Sequence, residues 1–251
     1  MINLKSKVAL ITGGSRGIGA ACVKLFAGAG ADVAFTYQTN KNAAEKIIKD
    51  CSNKSKVKAY KCNLSNADEI EKIVKNIISD FGRVDILVNN AGIWKYGPAD
   101  KMSLDDWEET IRVNLTGTFL FVKAVVPLMK KNKFGRIINI TSTAGQRGEA
   151  NYSHYASSKG GVISFTKSMA TELGPYNITT NSVAPGWVYT DMTRDELSDK
   201  KYLKEIEEDI PLRRVATAED IAGPVLFLAS DLAKHINGEI LNVNGGSILC
   251  G

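Results

Sequence analysis

Apolar, β-rich runs alternate with segments of helical periodicity along almost the whole chain, and this alternation restricts the fold more than any other feature of the sequence. Strands are predicted at residues 7–12, 32–37, 57–60, 84–88, 136–140, 178–183 and 239–243. Helices are predicted at 17–29, 41–51, 105–131 and 153–173. One more begins near Ser65 or Asn66, where Glu69 would complete a capping box with Asn66. Near-continuous apolar strands separated by helices are typical of a parallel sheet covered on both faces. We therefore expect an α/β fold, a doubly wound (Rossmann) sheet of seven parallel strands in a single domain spanning residues 1–251.

The composition excludes several classes of protein. Of 251 residues, 44% are hydrophobic and 24% charged, which is ordinary for a soluble globular chain. Apolar stretches such as 122–129 are shorter than the roughly 20 residues of a membrane span, and residues 1–7 lack the shape of a signal peptide. We therefore expect a cytoplasmic protein without a membrane partner. The net charge is +5, but lysines are spread along amphipathic segments, which argues against nucleic-acid binding. The four cysteines have no metal-binding spacing, and no metal is expected.

A glycine-rich segment, Thr12-Gly13-Gly14-Ser15-Arg16-Gly17-Ile18-Gly19, follows the first predicted strand and opens the first predicted helix. Glycines in this context allow a tight turn, close approach of the backbone to a pyrophosphate, and close packing of helix on strand. The free N–H groups of the helix N-terminus then face the phosphates. The alternative is a tight turn with a purely structural role. The cofactor-binding candidates here are Gly13, Ser15, Arg16, Gly17, Ile18 and Gly19.

The residues near the end of the second predicted strand indicate which dinucleotide binds. Asp32 has the sequence distance of a ribose-binding acid but stands at the start of that strand, where we expect it to have a structural role. The strand ends at Tyr37, a further cofactor-binding candidate, without a carboxylate. Arg16 could pair with a 2′-phosphate through its guanidinium group. These features favour NADP(H) over NAD(H) as the cofactor.

A second set of polar residues contains the candidate catalytic side chains. Tyr155 and Lys159 are four residues apart at a helix start, so both project from one face, and a nearby cation favours the phenolate. Ser142 follows the fifth predicted strand, where its hydroxyl could hold a substrate oxygen. Asn114 lies in the middle of a predicted helix, where asparagine has only modest propensity. Its presence there indicates a specific role. The segment 89–92, Asn-Asn-Ala-Gly, ends the fourth strand.

Taken in order, the segments 12–19, 89–92, Asn114, Ser142, 155–159 and 185–186 resemble the motifs of the short-chain dehydrogenase/reductase family over essentially the whole chain. The resemblance implies a catalytic tetrad of Asn114, Ser142, Tyr155 and Lys159. Tyr155 would be the general acid/base and Ser142 would polarise the carbonyl. Lys159 would bind the nicotinamide ribose and depress the pKa of Tyr155, and Asn114 would hold a water that links Lys159 to solvent.

The resemblance also implies further cofactor contacts. These would come from Asn63, Leu64, Asn90, Ala91, Gly92, Tyr155, Lys159, Pro185, Gly186, Val188 and Thr190. Asn63-Leu64 departs from the family, which commonly has Asp-Val there, although an asparagine can still bond to adenine. The stretch 211–216 also lacks the glycine that often follows its arginine, which bears only on the base of the segment 186–214.

Three segments carry a closer resemblance: the glycine loop, residues 114–119 (Asn-Leu-Thr-Gly-Thr-Phe), and the tail with Ile-Asn-Gly-Glu at 236–239 and Val-Asn-Gly-Gly at 243–246. They most resemble the bacterial 3-oxoacyl-[acyl-carrier-protein] reductases. That implies an NADP(H)-dependent carbonyl reductase acting on an acyl thioester, with acyl carrier protein as a partner. Reduction of a small polar ketone, or oxidation of a sugar by a glucose-type dehydrogenase, stays open, as does a non-catalytic sensor of NADP(H). Lys133 and Arg136 could form half of a carrier-protein patch. Candidate substrate residues are Trp94, Ser142, Tyr152 and Trp187.

Two larger features follow from position and from the resemblance. The charged segment 186–214 comes after the sixth strand, and ligands bind beyond the carboxyl ends of strands in such sheets, so we expect a substrate lid there. Family members pair the helices that correspond to 105–131 and 153–173. The resemblance therefore implies a homotetramer.

Overall fold

The computed structural model describes residues 2–249, and all seven strands belong to one parallel sheet in the order β3-β2-β1-β4-β5-β6-β7. The strands are β1 (Val8–Ile11), β2 (Asp32–Tyr37), β3 (Val57–Lys61), β4 (Ile86–Asn89), β5 (Gly135–Ile140), β6 (Ile178–Pro185) and β7 (Ile240–Val243). The order reverses between β1 and β4, which pair directly, with Ala9 opposite Ile86. A doubly wound sheet opens its ligand crevice at this reversal, beyond the carboxyl ends of the strands.

Helices cover both faces of the sheet. They are α1 (Gly17–Gly28), α2 (Lys41–Cys51), α3 (Ala67–Phe81), α4 (Leu104–Ile111), α5 (Gly117–Asn132), α6 (Ala144–Arg147), α7 (Ser153–Leu173), α8 (Arg194–Ser198), α9 (Lys200–Asp209) and α10 (Ala218–Ala229). Successive strand residues face opposite layers. In β1, Ala9 and Ile11 pack in the layer that contains α1 and α10, while Leu10 packs in the layer that contains α3 and α5.

The seven-stranded parallel sheet predicted from the sequence is confirmed, and the predicted bounds of 32–37, 41–51 and 153–173 agree with the structure. Other local details differ from the expectations. Helix α10 and the two helices within 186–214 were not predicted. Asn66 does cap α3 by accepting the N–H of Glu69, but the Glu69 carboxylate accepts the N–H of Asn63 instead of closing a box on Asn66.

The predicted helix at 105–131 is one continuous helical stretch with a change of pitch inside it. Residues Arg112–Thr116 form a π-helical turn between α4 and α5. By length and hydropathy alone this stretch, Leu104–Asn132, could cross a membrane, which the expectation of short apolar runs missed. Its buried residues Phe121, Val125 and Met129 belong to the core against the sheet, while 33% of its most apolar window is buried. Much apolar surface on this helix therefore faces outwards.

Candidate active site

The glycine-rich loop between β1 and α1 is shaped by backbone conformation and by close packing. Gly13 and Gly17 have φ values of +68° and +52°, in the region that side chains disfavour. A Cβ on Gly14 would lie 2.6 Å from Phe35, and a Cβ on Gly19 would lie 2.2 Å from the carbonyl oxygen of Gly13. The last glycine therefore lets α1 approach the loop.

Hydrogen bonds join the ends of three strands at this loop. The Asn90 side-chain amide donates to the backbone oxygens of Thr12 and Gly13 at 2.9 and 3.3 Å. Thr12 Oγ1 accepts the N–H groups of Asn90 and Ala91, at 2.9 and 3.0 Å. The Gly13 N–H donates to Thr36 Oγ1 at 3.1 Å, which ties in β2. Asn90 is thus a structural clamp on the loop, and it also lines the cleft.

The N-terminus of α1 opens into the same cleft without a side-chain cap from Arg16. Its first N–H groups are therefore available to an anion. Arg16 is largely exposed, and its guanidinium lies 3.9 Å from the carboxylate of Asp191. Thr190 lies beside Gly17, whose Cβ would be 3.3 Å from its methyl group. The start of the segment 186–214 therefore covers the glycine loop.

The cleft is polar where it meets the end of β2, and no carboxylate stands at that strand end. Tyr37 lines it together with Gln38, Thr39 and Asn40. Asp32 lies away from this end, at the start of β2, where its Oδ1 accepts the Lys56 N–H at 2.9 Å. Its carboxylate is used for joining β2 to the start of β3.

Ser142 and Tyr155 meet at the other end of the cleft. Ser142 follows β5, and its Oγ accepts the N–H of Ala144 at 3.1 Å. Tyr155 lies in the first turn of α7, and its phenol is hydrogen-bonded to the Ser142 hydroxyl. A substrate carbonyl oxygen placed between these hydroxyls would have two donors, as general acid catalysis requires.

Lys159 lies one helical turn beyond Tyr155 and is buried. Its Nζ donates to the Ile140 carbonyl oxygen at 2.7 Å and is 5.8 Å from the centroid of the Tyr155 ring. Because burial disfavours charge, the pKa of Lys159 falls to about 8.

The pKa of Tyr155 lies above its usual value, whereas the resemblance implies that Lys159 depresses it. Burial raises the pKa of Tyr155 to about 12, although the hydrogen bond with Ser142 acts in the opposite direction. The negative charge of Glu149 raises it further. Loss of water around the phenol is therefore the largest influence on its pKa. Tyr155 is protonated at neutral pH, which suits a residue that donates a proton.

Asn114 lies in the π-helical turn, which accounts for an asparagine in mid-helix, because such turns are frequent at functional sites. Its side chain bonds to the backbone of Ile93 in both directions, accepting the N–H at 2.8 Å and donating to the oxygen at 2.9 Å. It also donates to Ser158 Oγ at 3.1 Å, and Ser158 donates to the Tyr155 carbonyl oxygen at 2.7 Å. A Cβ on Gly92 would lie 3.0 Å from Asn114 Oδ1 and 3.5 Å from Lys159 Nζ.

Aromatic side chains surround the substrate end of the cleft. Trp94 stacks on Tyr152 with centroids 4.4 Å apart, and its ring meets Trp187 edge-on at 5.9 Å. Trp187 in turn meets Tyr202 of α9 at 6.1 Å. The Trp94 indole N–H donates to Glu149 Oε2 at 3.3 Å. These contacts connect the segment 186–214 to the loop after β4.

The segment 186–214 has a small apolar cluster of its own. Leu197 of α8 and Ile206 of α9 are buried with Ile210 and Val215, and Trp187 packs against them. Val188 and Ala216 form a parallel bridge at the base of the segment. The two helices can therefore stay packed together wherever the segment sits over the cleft.

Comparison with known proteins decides the family. A family model described as "Enoyl-(Acyl carrier protein) reductase" matches residues 13–247. The chain is 42% identical over 251 residues to a 3-oxoacyl-[acyl-carrier-protein] reductase of Synechocystis sp., covering 99% of this chain and 100% of that protein. It is 43% identical over 247 residues to the enzyme of the same name from Aquifex aeolicus, covering 98% of each. The chain belongs to the short-chain dehydrogenase/reductase family.

A solved structure of the family agrees with this membership. The crystal structure of levodione reductase has a TM-score of 0.93 and 30% sequence identity, and the match covers 97% of this chain and 98% of that one. As a short-chain dehydrogenase/reductase, the protein is an oxidoreductase acting on a carbonyl or CH–OH group.

The structure brings most of the predicted short-chain dehydrogenase/reductase residues into one cleft. Its lining includes Gly13, Ser15, Arg16, Gly17, Ile18, Tyr37, Leu64, Asn90, Ala91, Gly92, Trp94, Ser142, Tyr155, Lys159, Pro185, Gly186, Trp187, Val188 and Thr190. Four predicted residues do not line it. Gly19 and Asn114 lie behind the surface and shape it, Tyr152 backs Trp94, and Asn63 accepts the N–H of Ser65 in its own loop.

Some lining residues were missed by sequence reasoning. Thr36, Asn40, Thr141, Thr143, Arg147 and Met192 contribute to the cleft. Each lies close to the carboxyl end of a predicted strand or inside the expected lid, and that position was the available signal. Among residues 2–249, no group of three His, Cys, Asp or Glu side chains could hold a metal ion.

The half patch proposed from Lys133 and Arg136 is wrong within one chain. Both residues lie near the amino end of β5, whereas Ser142 follows its carboxyl end, and a six-residue strand is about 20 Å long. Arg136 is buried, lies 3.7 Å from Asp231, and stacks on Phe134 at 4.5 Å. Lys133 and Arg136 are close to Ser142 in sequence, but they lie at the opposite end of β5 from it.

Proposed function

We propose that the protein reduces 3-oxoacyl thioesters carried on acyl carrier protein, with NADPH as the reductant, in the cytoplasm. The observation that carries the proposal is that Ser142, Tyr155 and Lys159 lie together in the cleft that the glycine loop opens. The names of the Synechocystis and Aquifex relatives support the choice of substrate.

The residues of the cleft fit a dinucleotide. The close approach of Gly19 to Gly13 and the uncapped start of α1 leave room and N–H donors for phosphates. Gly13, Ser15 and Ile18 would hold the pyrophosphate side, and Val188 and Thr190 the nicotinamide side. When bound, the cofactor supplies the hydride for the substrate carbon.

The chain's own residues handle the proton and the developing charge. Ser142 holds the substrate oxygen, and the Tyr155 phenol donates its proton to that oxygen as the alcohol forms. The raised pKa of Tyr155 keeps that proton in place at neutral pH. The positive charge of Lys159 then stabilises the phenolate, and Asn114 fixes the turn against Ile93.

A tyrosine replacement tests the catalytic assignment. Tyr155→Phe removes the proton donor but keeps the ring, so we expect kcat to fall by about 1,000-fold or more while NADPH binding changes less than about threefold. Acetoacetyl-pantetheine reduction and NADPH fluorescence titration measure the two effects. A variant that keeps most of its kcat contradicts the assignment.

The carrier protein is tested by comparing acetoacetyl-pantetheine with the same acyl group on acyl carrier protein. We expect a higher kcat/KM with the carrier, since contacts with the carrier would add to those with the pantetheine arm. A small polar ketone or sugar is the second candidate substrate, favoured by Glu149 among the residues that line the cleft. If the carrier gives no gain and a hydroxylated ketone is the better substrate, the fatty-acyl proposal is wrong.

Cofactor preference forms a separate prediction. Arg16 lies at the glycine loop, and no carboxylate stands at the end of β2, so we expect a clearly higher kcat/KM with NADPH than with NADH. Arg16→Ala should lower the ratio of kcat/KM with NADPH to kcat/KM with NADH by about tenfold, because the variant loses affinity for NADPH. Asp191→Asn is the matched control, because it removes the ion pair with Arg16 without removing the guanidinium. Equal efficiencies with both cofactors in the unaltered enzyme contradict the assignment.

We also infer that the protein is a homotetramer. The helices α5 and α7 expose aromatic side chains such as Phe119, which is 45% exposed and meets Phe165 edge-on at 6.3 Å. Exposed apolar helix surface of this kind commonly marks a protein interface. The same surface explains why Leu104–Asn132 is apolar enough for a membrane span without being buried in its own chain.

A further inference from the structure

Glu149 is an acidic side chain at the substrate end of the cleft, and the proton transfer described above does not need it. It lies between α6 and α7 and lines the same cleft as Ser142 and Tyr155. Its carboxylate is close enough to Tyr155 to raise the pKa of that phenol. A charged acceptor therefore lies in the same cleft as the side chains that would handle the substrate carbonyl.

Within residues 2–249, the carboxylate of Glu149 has one hydrogen-bond donor. Trp94 donates its indole N–H to Oε2 at 3.3 Å, and no other donor among residues 2–249 bonds to either oxygen. Arg147 also lines the cleft, but it forms no ion pair with Glu149 in the described chain. An ionised carboxylate accepts up to about four hydrogen bonds, so the described protein donors use only a small part of its acceptor capacity.

The surroundings of the Glu149 carboxylate make its charged form energetically unfavourable. Trp94 is fixed by stacking on Tyr152 and by edge contact with Trp187, so the indole N–H that reaches the carboxylate is held in place. Burial raises the pKa of Glu149 against the effects of Trp94 and Arg147. A partly buried charge without sufficient donors is unfavourable, and a ligand that brings a donor relieves the penalty.

We propose that Glu149 is a specificity-determining residue that accepts a hydrogen bond from an O–H or N–H group a few bonds away from the ketone of the substrate. The proposal rests on the proposed function only in that a ketone is reduced between Ser142 and Tyr155. The donor is either the amide N–H of a pantetheine arm or the hydroxyl of a polar ketone. A site built to bond such a group discriminates strongly against analogues that lack it.

Matched substrate pairs test this selectivity. The amide pair is acetoacetyl-N-acetylcysteamine and S-ethyl acetothioacetate, and the hydroxyl pair is hydroxyacetone and butanone. In the unaltered enzyme we expect kcat/KM to favour the donor-bearing member of at least one pair by about tenfold or more. The pair that shows the preference identifies the source of the donor.

Variants separate this role from a structural one. Glu149→Met should reduce the preference to less than about threefold, because it removes the acceptor, whereas any effect through the pKa of Tyr155 falls on both members of a pair. Glu149→Gln should restore part of the preference. Comparing ratios cancels differences in size within a pair. Glu196→Gln is the control, since Glu196 acts on Tyr152 through its charge but does not line the cleft.

The outcomes are distinct. If Glu149→Met lowers both members of each pair by the same factor, or if the unaltered enzyme shows no preference, the proposal is overturned. If only the hydroxyl pair is reduced, the fatty-acyl function is wrong and the role of Glu149 stands. If no ketone turns over, quenching of tryptophan fluorescence gives the Kd of each pair, and equal Kd values overturn the proposal.

Discussion

Lys159 is a buried cation whose presence works against the stability of the fold. A fall of its pKa from 10.5 to about 8 corresponds to about 3 kcal/mol of folding free energy. The penalty is complete below the folded pKa of about 8 and disappears as the pH rises towards 10.5, where the unfolded lysine is also neutral. This contribution therefore makes the protein more stable as the pH rises through that range.

We predict that Lys159→Met abolishes turnover and stabilises the protein at pH 7. The gain should be about 2 kcal/mol, because loss of the bond to the Ile140 carbonyl offsets roughly 1 kcal/mol of it. Urea unfolding at pH 7 and at pH 10 measures it, and the gain should shrink at the higher pH. A variant less stable than the parent at pH 7 would show that the contacts of Lys159 outweigh its burial.

At the scale of single residues, the sequence predicted which side chains form the site better than it predicted their burial and protonation. The tetrad, the glycine loop and the strand-start role of Asp32 follow from local spacing. The protonation of Tyr155 does not, because it depends on how completely the fold removes water from the phenol. Nor could the sequence show that Arg136 is buried at the end of β5 that lies away from the cleft, since this depends on how the strand is placed in the sheet.

At the scale of elements, α10 has a capping arrangement that can be tested by itself. Thr217 and Asp220 form a capping box, and Arg214 donates to both Asp220 oxygens at 2.6 and 3.0 Å. These bonds hold the pKa of Asp220 well below its usual range. The stabilisation is therefore present at neutral pH and is lost as the pH falls into the acid range.

We predict that Asp220→Ala lowers the free energy of unfolding by about 1 kcal/mol at pH 7, with a smaller effect near pH 3. Denaturant titration at the two pH values measures the difference. Glu219→Ala is the matched control, since Glu219 lies in the same helical turn outside the capping box. Equal losses from the two variants would mean that the charge near the helix start, and not the box, stabilises α10.

Helices and strands with strong periodicity were predicted closely, whereas elements defined by tertiary contacts were not. Helix α10 has little amphipathic contrast because it packs against both the sheet and the neighbouring α1, and its pattern is apolar on several sides. The π-helical turn at Arg112–Thr116 adds a residue to one turn in order to place Asn114 against Ile93. That need arises only once the loop after β4 is in position.

At the scale of the whole molecule, the outward apolar face of α5 gives a test of assembly. We predict a mass near four times 27.2 kDa by light scattering at micromolar concentration. Phe119→Glu should lower that mass by burying a charge at the interface. Leu232→Glu changes a still more exposed apolar residue outside α5 and α7 and should leave the mass unchanged. A mass near 27.2 kDa for the parent would contradict the tetramer.

The place of β1 in the sheet has a consequence for synthesis of the chain. One edge of β1 pairs with β2 almost at once, but the other waits for Ile86–Asn89. At about 5–20 residues per second, a ribosome needs roughly 4 to 15 s to make the intervening segment. Throughout that interval an apolar strand edge stays open to other nascent chains. Such distant parallel pairing also folds slowly. We therefore expect the yield of native protein to depend on chaperones and on translation rate far more than the stability of the finished fold would suggest.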